Sequence, residues 1–570
     1  MLTQSERDCL SRLDTDSLLE DLRVVASFER RPDSEGEENA LSFIRGRLDG
    51  AEIQNERSSQ LGLLSLGGSG TLRLAGLKEE REFPVKAWNF SPSAPGSLTG
   101  RSVVMGRDDF PSSPLEFFAS EKPKERDLEG HVVLAPFAST EAVLSAQARG
   151  ATAFVICWPQ PGENVIHQSG LALWWGAVPQ PEESCWSPRI PVVALSGRDG
   201  ATLMELAGAS EVFSLSLSCR SEERVAPVPL LEALVPATVE TPFYVLVGAH
   251  LDSKYYGATD NATGAALLLS LAEALARLPE RRAGIRFCWW MGHEFGKYGG
   301  SSLYARDRLA DLNENCLAYV NIDMPGLRGA TDFAVTAGPD LAALASGVFA
   351  DVLGNSPFQV HPGRVRSWDQ SFQNVGVSSL FIWSSSLPPD SPDTTGGGVM
   401  PWWWHTESDL VEFCDPEVLG RDAKLYLLGL LRLLAGPEEA FDLPALWEAL
   451  LGRLGSFSED FSKSMELNGP RASLQDSLSF WRSRKNCCLK ENLPVLRLLN
   501  RMYYSARAPW LQDWSGSEGP LPALSEAERL LNEERLSERG HLIVRNYARC
   551  QAGRLALMAQ ELARLSGRVG

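Results

Sequence analysis

Residues 243–326 decide the fold, and they contain FYVLVGAHLDS (243–253), GATDNATGAALLLSLAEALARL (257–278), GIRFCWWMGHEFG (284–296) and LAYVNIDMPG (317–326). Three nearly continuous apolar runs alternate with a helical segment, which indicates a parallel sheet covered on both faces. Ligands gather at the carboxyl ends of the strands in such sheets. Polar residues follow the apolar runs there, and the candidates are His250, Asp260, Glu294 and Asp323.

The sequence on either side of this stretch changes character three times. Residues 1–50 have helical periodicity, and residues 51–225 contain short β-like runs separated by Pro and Gly. Strand–helix alternation occupies 226–436, and Leu/Ala/Arg/Glu-rich helical segments fill 437–570. We therefore predict an α/β protein with a mostly parallel mixed sheet flanked by helices, a β-rich inserted lid domain and a helical C-terminal domain.

The composition excludes several classes of partner. The 570 residues carry a formal net charge of -19 without a basic stripe, so nucleic acid and anionic membrane surfaces are poor partners. The first residues, MLTQSERDCLSRL, lack the features of a secretory signal, and no stretch approaches the roughly 20 apolar residues that cross a bilayer. The ten cysteines are scattered, apart from Cys487 and Cys488, and form no C-x-x-C pair. A reduced, cytoplasmic location is the simplest expectation.

The polar residues at the strand ends are of the types that bind divalent ions. The H-x-D spacing suits an imidazole ligand, His250, that Asp252 orients from behind. Asp260 lies in a Gly-rich turn before an apolar helix, where one carboxylate can reach two ions, although a simple helix cap is the commoner role. His405, in WWWHTESD (402–409), completes the set. Each residue alone is more often a loop residue, but their combination favours a two-metal site that activates water.

In order along the chain, HLDS, GATDNATGAA, HEFGKYGGSSLYA, NIDMPG and HTESD closely resemble the motifs of co-catalytic zinc aminopeptidases. The resemblance is greatest to their glutamate carboxypeptidase/transferrin-receptor branch, which has an inserted protease-associated domain. HVVLAP (131–136), AQARGATAFVIC (146–157) and IPVVALSGRDG (190–200) resemble that domain. The resemblance implies a zinc-exopeptidase-like fold, a homodimer and two zinc ions, with manganese or cobalt as alternatives. It assigns Asp260 as the bridging ligand, His250 and Asp323 to one ion, Glu294 and His405 to the other, and Asp252 as the carboxylate that orients His250.

One residue departs from the family pattern. The family has two consecutive glutamates, a general base and a metal ligand, where this chain has His293 and Glu294. A neutral imidazole accepts a proton near pH 7, so His293 is a candidate catalytic base. A third nitrogen ligand, a site adapted to another C–N cleavage and loss of catalysis are the alternatives.

Aromatic and basic residues near these motifs are candidates for substrate binding. Trp404, Tyr256 and Trp368 are predicted to line a cleft, although packing in the core is an equal alternative for such residues. Lys254, Arg364 and Arg366 could hold a substrate carboxylate, but each is more readily explained as a solvated surface charge.

The resemblance and the residues together predict a zinc-dependent hydrolase that cleaves a peptide or amide bond of a small substrate with metal-activated water. The native metal, the substrate and the choice between amino- and carboxypeptidase stay open. A non-catalytic metal-binding scaffold and a non-peptidase enzyme, such as a cyclase or lyase, are the alternatives.

Overall fold

The computed structural model describes residues 2–75, 80–120, 127–159, 162–166, 170–172, 174–209, 213–362, 368–388, 390–394, 400–484, 488–513, 519–533 and 535–566. Two of the basic residues proposed above, Arg364 and Arg366, lie outside these ranges.

Thirteen strands form one hydrogen-bonded sheet. They are β1 (Gln54–Ala75), β2 (Arg81–Ala87), β3 (Ala94–Val104), β4 (His131–Ala135), β5 (Ala153–Ile156), β6 (Val192–Ala194), β7 (Ser214–Val235), β8 (Tyr244–His250), β9 (Gly284–Trp290), β10 (Cys316–Asn321), β11 (Asp332–Ala337), β12 (Gln359–Pro362) and β13 (Ser378–Ser386). Their order is β1-β2-β6-β5-β4-β3-β7-β9-β8-β10-β13-β11-β12, with a further pairing of β1 with β7.

The half of the sheet that positions the candidate ligands is parallel. Strands β9, β8, β10 and β13 run parallel to their neighbours, and β7 and β11 flank them in the antiparallel direction. Every residue of β8 and β10 is buried, as expected for strands covered on both faces. The carboxyl ends of β8, β9 and β10 therefore meet at one edge of the sheet.

The other half of the sheet closes on itself. Strands β1 and β7 pair antiparallel along most of their length, from Gln54 opposite Leu234 to Ala75 opposite Ser214. Because β2, β6, β5, β4 and β3 connect the same two strands, seven strands form a closed ring. The end of β7, beyond the residues that pair with β3, stays paired with β1 and also pairs with β9, which joins the two halves.

Eighteen helices occupy the described part of the chain. They are α1 (Gln4–Leu10), α2 (Thr15–Val25), α3 (Glu35–Gly50), α4 (Pro114–Ala119), α5 (Thr140–Ala148), α6 (Gly197–Gly208), α7 (Thr263–Ala276), α8 (His293–Gly296), α9 (Gly299–Asp307), α10 (Leu309–Asn315), α11 (Ala342–Leu353), α12 (Pro416–Ala435), α13 (Leu443–Ser456), α14 (Glu459–Ser464), α15 (Asn468–Ser483), α16 (Leu489–Tyr504), α17 (Pro522–Leu531) and α18 (Glu538–Leu565). Short 3-10 turns lie at Arg107–Asp109, Gln373–Val375 and Val411–Phe413, and an irregular turn at Ala258–Ala262. Among the described residues, no helix has both the length and the apolar character of a bilayer-spanning segment.

The helices cover the parallel strands as the apolar sequence requires. Helix α7 is buried along almost its whole length and contacts α2, α3 and α12. Helix α12 begins with Asp415 as its N-cap and Pro416 in its first turn, which is a favourable start signal. The predicted fold, a mostly parallel mixed sheet flanked by helices, is confirmed. The bounds of the four predicted domains stay predictions, as does a separate lid, since the ring and the parallel strands share one sheet.

Candidate metal centre

The five predicted metal ligands converge at the carboxyl edge of the parallel strands. His250 is the last residue of β8, Asp260 lies in the irregular turn before α7, and Asp323 follows β10. Glu294 lies in the one-turn helix α8, directly after β9. His405 comes from a loop more than 80 residues further along the chain. All five residues are at least 95% buried.

Their ligand atoms form two groups that share Asp260. In the first, His250 Nε2 lies 3.0 Å from Asp260 Oδ1 and 3.4 Å from Asp323 Oδ1. In the second, His405 Nε2 lies 3.0 Å from Asp260 Oδ2 and 2.8 Å from Glu294 Oε1. Two atoms that coordinate one tetrahedral zinc ion at about 2.0 Å are about 3.3 Å apart, so both groups have the spacing of a ligand set.

The hydrogen-bond inventory of these groups also fits metal ions. His250 Nε2, Asp260 Oδ1, Asp323 Oδ1 and both carboxylate oxygens of Glu294 are buried, and none has a hydrogen-bond partner among the described residues. Burial of unpaired carboxylates costs several kcal/mol each, which coordination to a divalent ion offsets. Imidazole nitrogens and carboxylate oxygens are the donors that suit zinc.

Two aspartates hold the backbone of the ligand loops. The carboxylate of Asp409 accepts hydrogen bonds from the amides of Thr259 and Asp260, at 2.8 and 3.0 Å, and so fixes the turn that carries the shared ligand. Burial raises the pKa of Asp409 to about 6. Asp252 accepts from the amides of His293 and Glu294, at 3.2 and 2.9 Å.

The structure corrects the prediction that the carboxylate of Asp252 orients His250. His250 Nδ1 hydrogen-bonds the main-chain carbonyl of Asp252 at 3.0 Å, whereas the Asp252 carboxylate is 3.7 Å away. The carbonyl therefore sets the tautomer that leaves Nε2 of His250 free to bind metal. The carboxylate instead positions the His293–Glu294 pair.

His293 is held in place from three sides. Its Nδ1 lies 2.9 Å from Asp369 Oδ2, its ring stacks on His250 at 3.8 Å, and Tyr298 meets it edge-on at 4.8 Å. Asp369 is itself fixed, since Ser301 Oγ donates to its other oxygen at 2.6 Å. Burial and His250 lower the pKa of His293, whereas Asp369 and Glu294 raise it, and the net shift is upward. His293 also groups with His250 and Glu294 as ligand atoms, so the geometry alone allows it as a further ligand.

Two buried cations lie near the carboxylates, and the sequence reasoning identified only one of them, Lys254, which it placed at the surface. Arg30 donates to the carbonyls of Leu251, Tyr256 and Gly257, which belong to the loop between the first two ligands, and burial lowers its pKa to about 10. Lys254 was expected to be a surface charge, but it is 2% exposed. Its ammonium lies 3.9 Å from the Phe295 ring centroid, and burial lowers its pKa to about 8.

Residues of the 51–225 region surround the candidate metal centre. Asn89 Nδ2 donates to the carbonyl of Glu294 at 2.5 Å, and Trp175 Nε1 donates to Ser371 Oγ at 2.9 Å. Asn164 donates to Ser408, three residues from His405, at 2.6 Å. The region therefore contributes directly to the packing around the ligands.

The predicted aromatic residues differ in their distance from the ligands. Trp404 stacks on His405 at 3.8 Å and donates from its indole nitrogen to Asp260 Oδ2 at 2.5 Å. Tyr256 lies on the loop between His250 and Asp260 and is 40% exposed. Trp368 is half-buried and precedes Asp369. Their predicted contacts with substrate stay predictions.

The residues that form this centre match a known protein family. The model of peptidase family M28 matches residues 233–428, which contain all five candidate ligands together with His293 and Asp369. Residues 233–428 belong to peptidase family M28. The match begins in β7 and ends in α12, so it contains β8, β9, β10 and β13, the parallel strands that position the candidate ligands.

Curated relatives match parts of the chain. A probable glutamate carboxypeptidase VP8 of Zea mays is 28% identical over 257 residues, which are 41% of this chain and 34% of that protein. The aminopeptidase NAALADL1 of Mus musculus is 34% identical over 103 residues, 17% of this chain and 14% of that one. The chain thus matches about a third or less of the length of these relatives.

Solved structures share the fold beyond the M28 domain. The aminopeptidase from Aneurinibacillus sp. strain AM-1 superposes with a TM-score of 0.55 at 19% identity, over 75% of this chain and 96% of that one. A zinc aminopeptidase from Bacillus subtilis gives 0.53 at 19% identity, over 74% and 95%. At this identity the likeness establishes the fold, and it does not test the protease-associated resemblance of the 51–225 region.

Proposed function

We propose that the chain is a two-metal peptidase that hydrolyses a peptide or amide bond of a small substrate. The observation that carries the proposal is the pair of ligand groups that share Asp260, with the His293–Asp369 pair beside them. The M28 match and the names of the relatives support a peptidase, and zinc is favoured by the donor set and by the likeness to a zinc aminopeptidase from Bacillus subtilis. The proposal also includes a homodimer and a cytoplasmic location.

Divalent ions bound by the two groups would polarise the scissile carbonyl and acidify a water molecule. The protein supplies the proton transfers. His293 donates a hydrogen bond from Nδ1 to Asp369, so Nε2 is the atom that can accept a proton. As the water oxygen forms its bond to the carbonyl carbon, Nε2 takes the proton of the water. The C–N bond then breaks, and the same nitrogen returns the proton to the leaving amine.

The protein also restricts what reaches the ligands. His293, His250 and Glu294 are each at most 6% exposed, and residues of the 51–225 region pack against the loops that carry them. A small peptide or amide suits such an enclosed site better than a folded protein does. The enclosure also strengthens electrostatic interactions inside the site.

The test combines metal content with turnover in the purified full chain. We expect two metal equivalents per chain and cleavage of members of a short-peptide and amide library, with product masses that include one added water. His293→Ala should keep its metal and lose roughly 10²–10⁴-fold in rate. His541→Ala, on α18, is the matched control and should change neither.

Three results would contradict parts of the proposal. Metal and activity lost together in His293→Ala would make His293 a ligand. Stoichiometric metal without turnover on any member of the library would favour a binding protein. Products that lack an added water would indicate a non-hydrolytic reaction at the same site.

A further inference from the structure

A cavity lies at the edge of strands β8 and β10 opposite to the candidate metal centre. It has a volume of about 680 Å³, and its wall includes Phe243, directly before β8, and Asn313, shortly before β10. His250 lies at the far end of β8, seven residues on. A strand rises about 3.3 Å per residue, so roughly 20 Å of buried sheet separates the cavity from the ligands. The cavity is therefore independent of the proposed reaction.

One face of helix α16 forms the main wall of this cavity. The lining positions on the helix are spaced three and four residues apart, which places them in one stripe. They are Lys490, Leu493, Pro494, Arg497, Leu498 and Arg501. Phe243 and the partly exposed Leu565, at the end of α18, add apolar surface. The cavity thus combines an apolar wall with three cations, and its volume lies in the range of small-molecule sites.

The positive charge of this stripe has little compensation. Arg497 is 1% exposed, and its hydrogen bonds all go to main-chain carbonyls, those of Leu312, Asn313, Cys316 and Gly376. Burial lowers its pKa to about 10, so it stays charged at neutral pH.

The other residues that line the cavity do not neutralise its three cations. Arg501 donates to the carbonyl of Arg497 at 3.1 Å, and no ion pair involves Lys490, Arg497 or Arg501 in the part of the chain that the structure describes. Of the two glutamates at the cavity, Glu561 pairs with Arg564 at 3.0 Å, which leaves Glu314 at the exposed rim. Among the residues that line the cavity, three cations therefore face one unpaired carboxylate, in a chain of net charge -19, while the buried carboxylate of Asp340 acts on Arg497 from outside the lining.

We propose that this cavity binds an anionic amphiphile, a small molecule with an apolar body and a single carboxylate or phosphate head. Phe243, Leu493 and Leu498 would contact the apolar body. The head would lie between Arg501 and Lys490, whose long cationic side chains both line the cavity. The buried Arg497 would attract the head electrostatically while it keeps its hydrogen bonds to the main-chain carbonyls. A cationic or neutral molecule of the same size would lack this attraction.

The test titrates the full chain with octanoate, octyl phosphate and octan-1-ol and follows the heat of binding. For a ligand of this size we expect a dissociation constant on the order of 1 mM or tighter for the preferred anion. The two anions decide between a carboxylate and a phosphate head. Octan-1-ol should bind at least about tenfold more weakly than the preferred anion, because a charge-assisted hydrogen bond is lost.

Substitutions locate the binding to this cavity. Arg501→Gln and, separately, Lys490→Gln should each weaken binding of the preferred anion about threefold to tenfold. Arg545→Gln, an exposed arginine of α18 outside the cavity, is the matched control and should bind as the unsubstituted chain does. Lys490 is exposed, so Lys490→Gln should fold, and it still tests the proposal if Arg501→Gln unfolds. No binding of either anion, equal binding of octan-1-ol, or unchanged binding in Lys490→Gln would overturn the proposal.

Discussion

Replacement of Asp369 by asparagine tests whether His293 is a base that Asp369 orients or a residue that only packs in the site. Asp369 accepts hydrogen bonds from Nδ1 of His293 at 2.9 Å and from the hydroxyl of Ser301 at 2.6 Å. An asparagine is similar in size, but one of its two oxygens becomes an NH₂ group that can only donate. If that group faces His293, the ring must turn Nδ1 into an acceptor and carry its proton on Nε2. The nitrogen that should receive the proton of water would then be occupied.

The size of the effect follows from these contacts. Loss of a hydrogen bond to a buried charged group costs about 1.5–3 kcal/mol, which is roughly 10- to 100-fold in rate. A wrong tautomer removes the base itself, whose contribution is typically 10²–10⁴-fold. We therefore expect kcat to fall by about 10²–10⁴-fold in Asp369→Asn. Metal content and KM should change little, since Asp369 contacts none of the five predicted ligands in the hydrogen bonds of the described chain.

The assay measures kcat, KM and metal content for Asp369→Asn alone and in combination with His293→Glu. A glutamate at position 293 would place two carboxylates side by side, so Asp369→Asn should relieve repulsion there and cost little. Asp340→Asn is the control, because Asp340 is equally buried and also accepts a serine hydroxyl, from Ser378. A rate within threefold of the unsubstituted chain would refute the reasoning, as would an equal loss in both backgrounds.

Two further predictions concern the metals and the stability of the fold. Asp260→Ala should lose most of the bound metal, because its two oxygens face both ligand groups, and full metal content by elemental analysis would exclude the bridge. Burial raises the pKa of Glu37 from 4.5 to about 8, so the native state holds a proton that the unfolded chain releases above pH 4.5. The stability of the native state should therefore fall as the pH rises towards 8, and Glu37→Gln should raise Tm at pH 8.5 more than at pH 5. Equal shifts at the two pH values in thermal unfolding would contradict this.

The part of the site that the sequence predicts is the part that local structure determines. His250 ends the apolar strand β8, Glu294 and Asp323 lie a few residues after the ends of β9 and β10, and parallel strands that share a sheet end at the same edge. Asp260 follows the same logic, because its turn is bounded by glycines and leads into the apolar helix α7. Their proximity therefore follows from strand order and apolar periodicity. His405 lies in a loop and not at the end of an apolar strand, so only its motif predicted that it joins the other ligands.

The parts that the sequence does not predict depend on contacts across long stretches of chain. Asp369 reaches His293 from 76 residues away, and Arg30 reaches Gly257 from 227 residues away. Neither position carries a local signal. Lys254 was expected at the surface because lysines rarely lie in cores. Asn89, from the ring of strands, and Phe295 enclose its ammonium, and no pattern near residue 254 indicates that cover.

The histidine at position 293 changes how the charge of the site is balanced, and this bears on whether catalysis is retained. A glutamate in the same place would face Asp369 across a distance of about one hydrogen bond, and two carboxylates that close cannot both stay ionised. The imidazole removes that conflict, since Asp369 stays an acceptor and His293 has a free nitrogen. Ser301 and Tyr298 hold the pair in register, although neither is needed to fill a metal coordination position. A residue that had lost its role would not need a carboxylate to orient its ring. The substitution is therefore better explained as a different proton acceptor than as the loss of one.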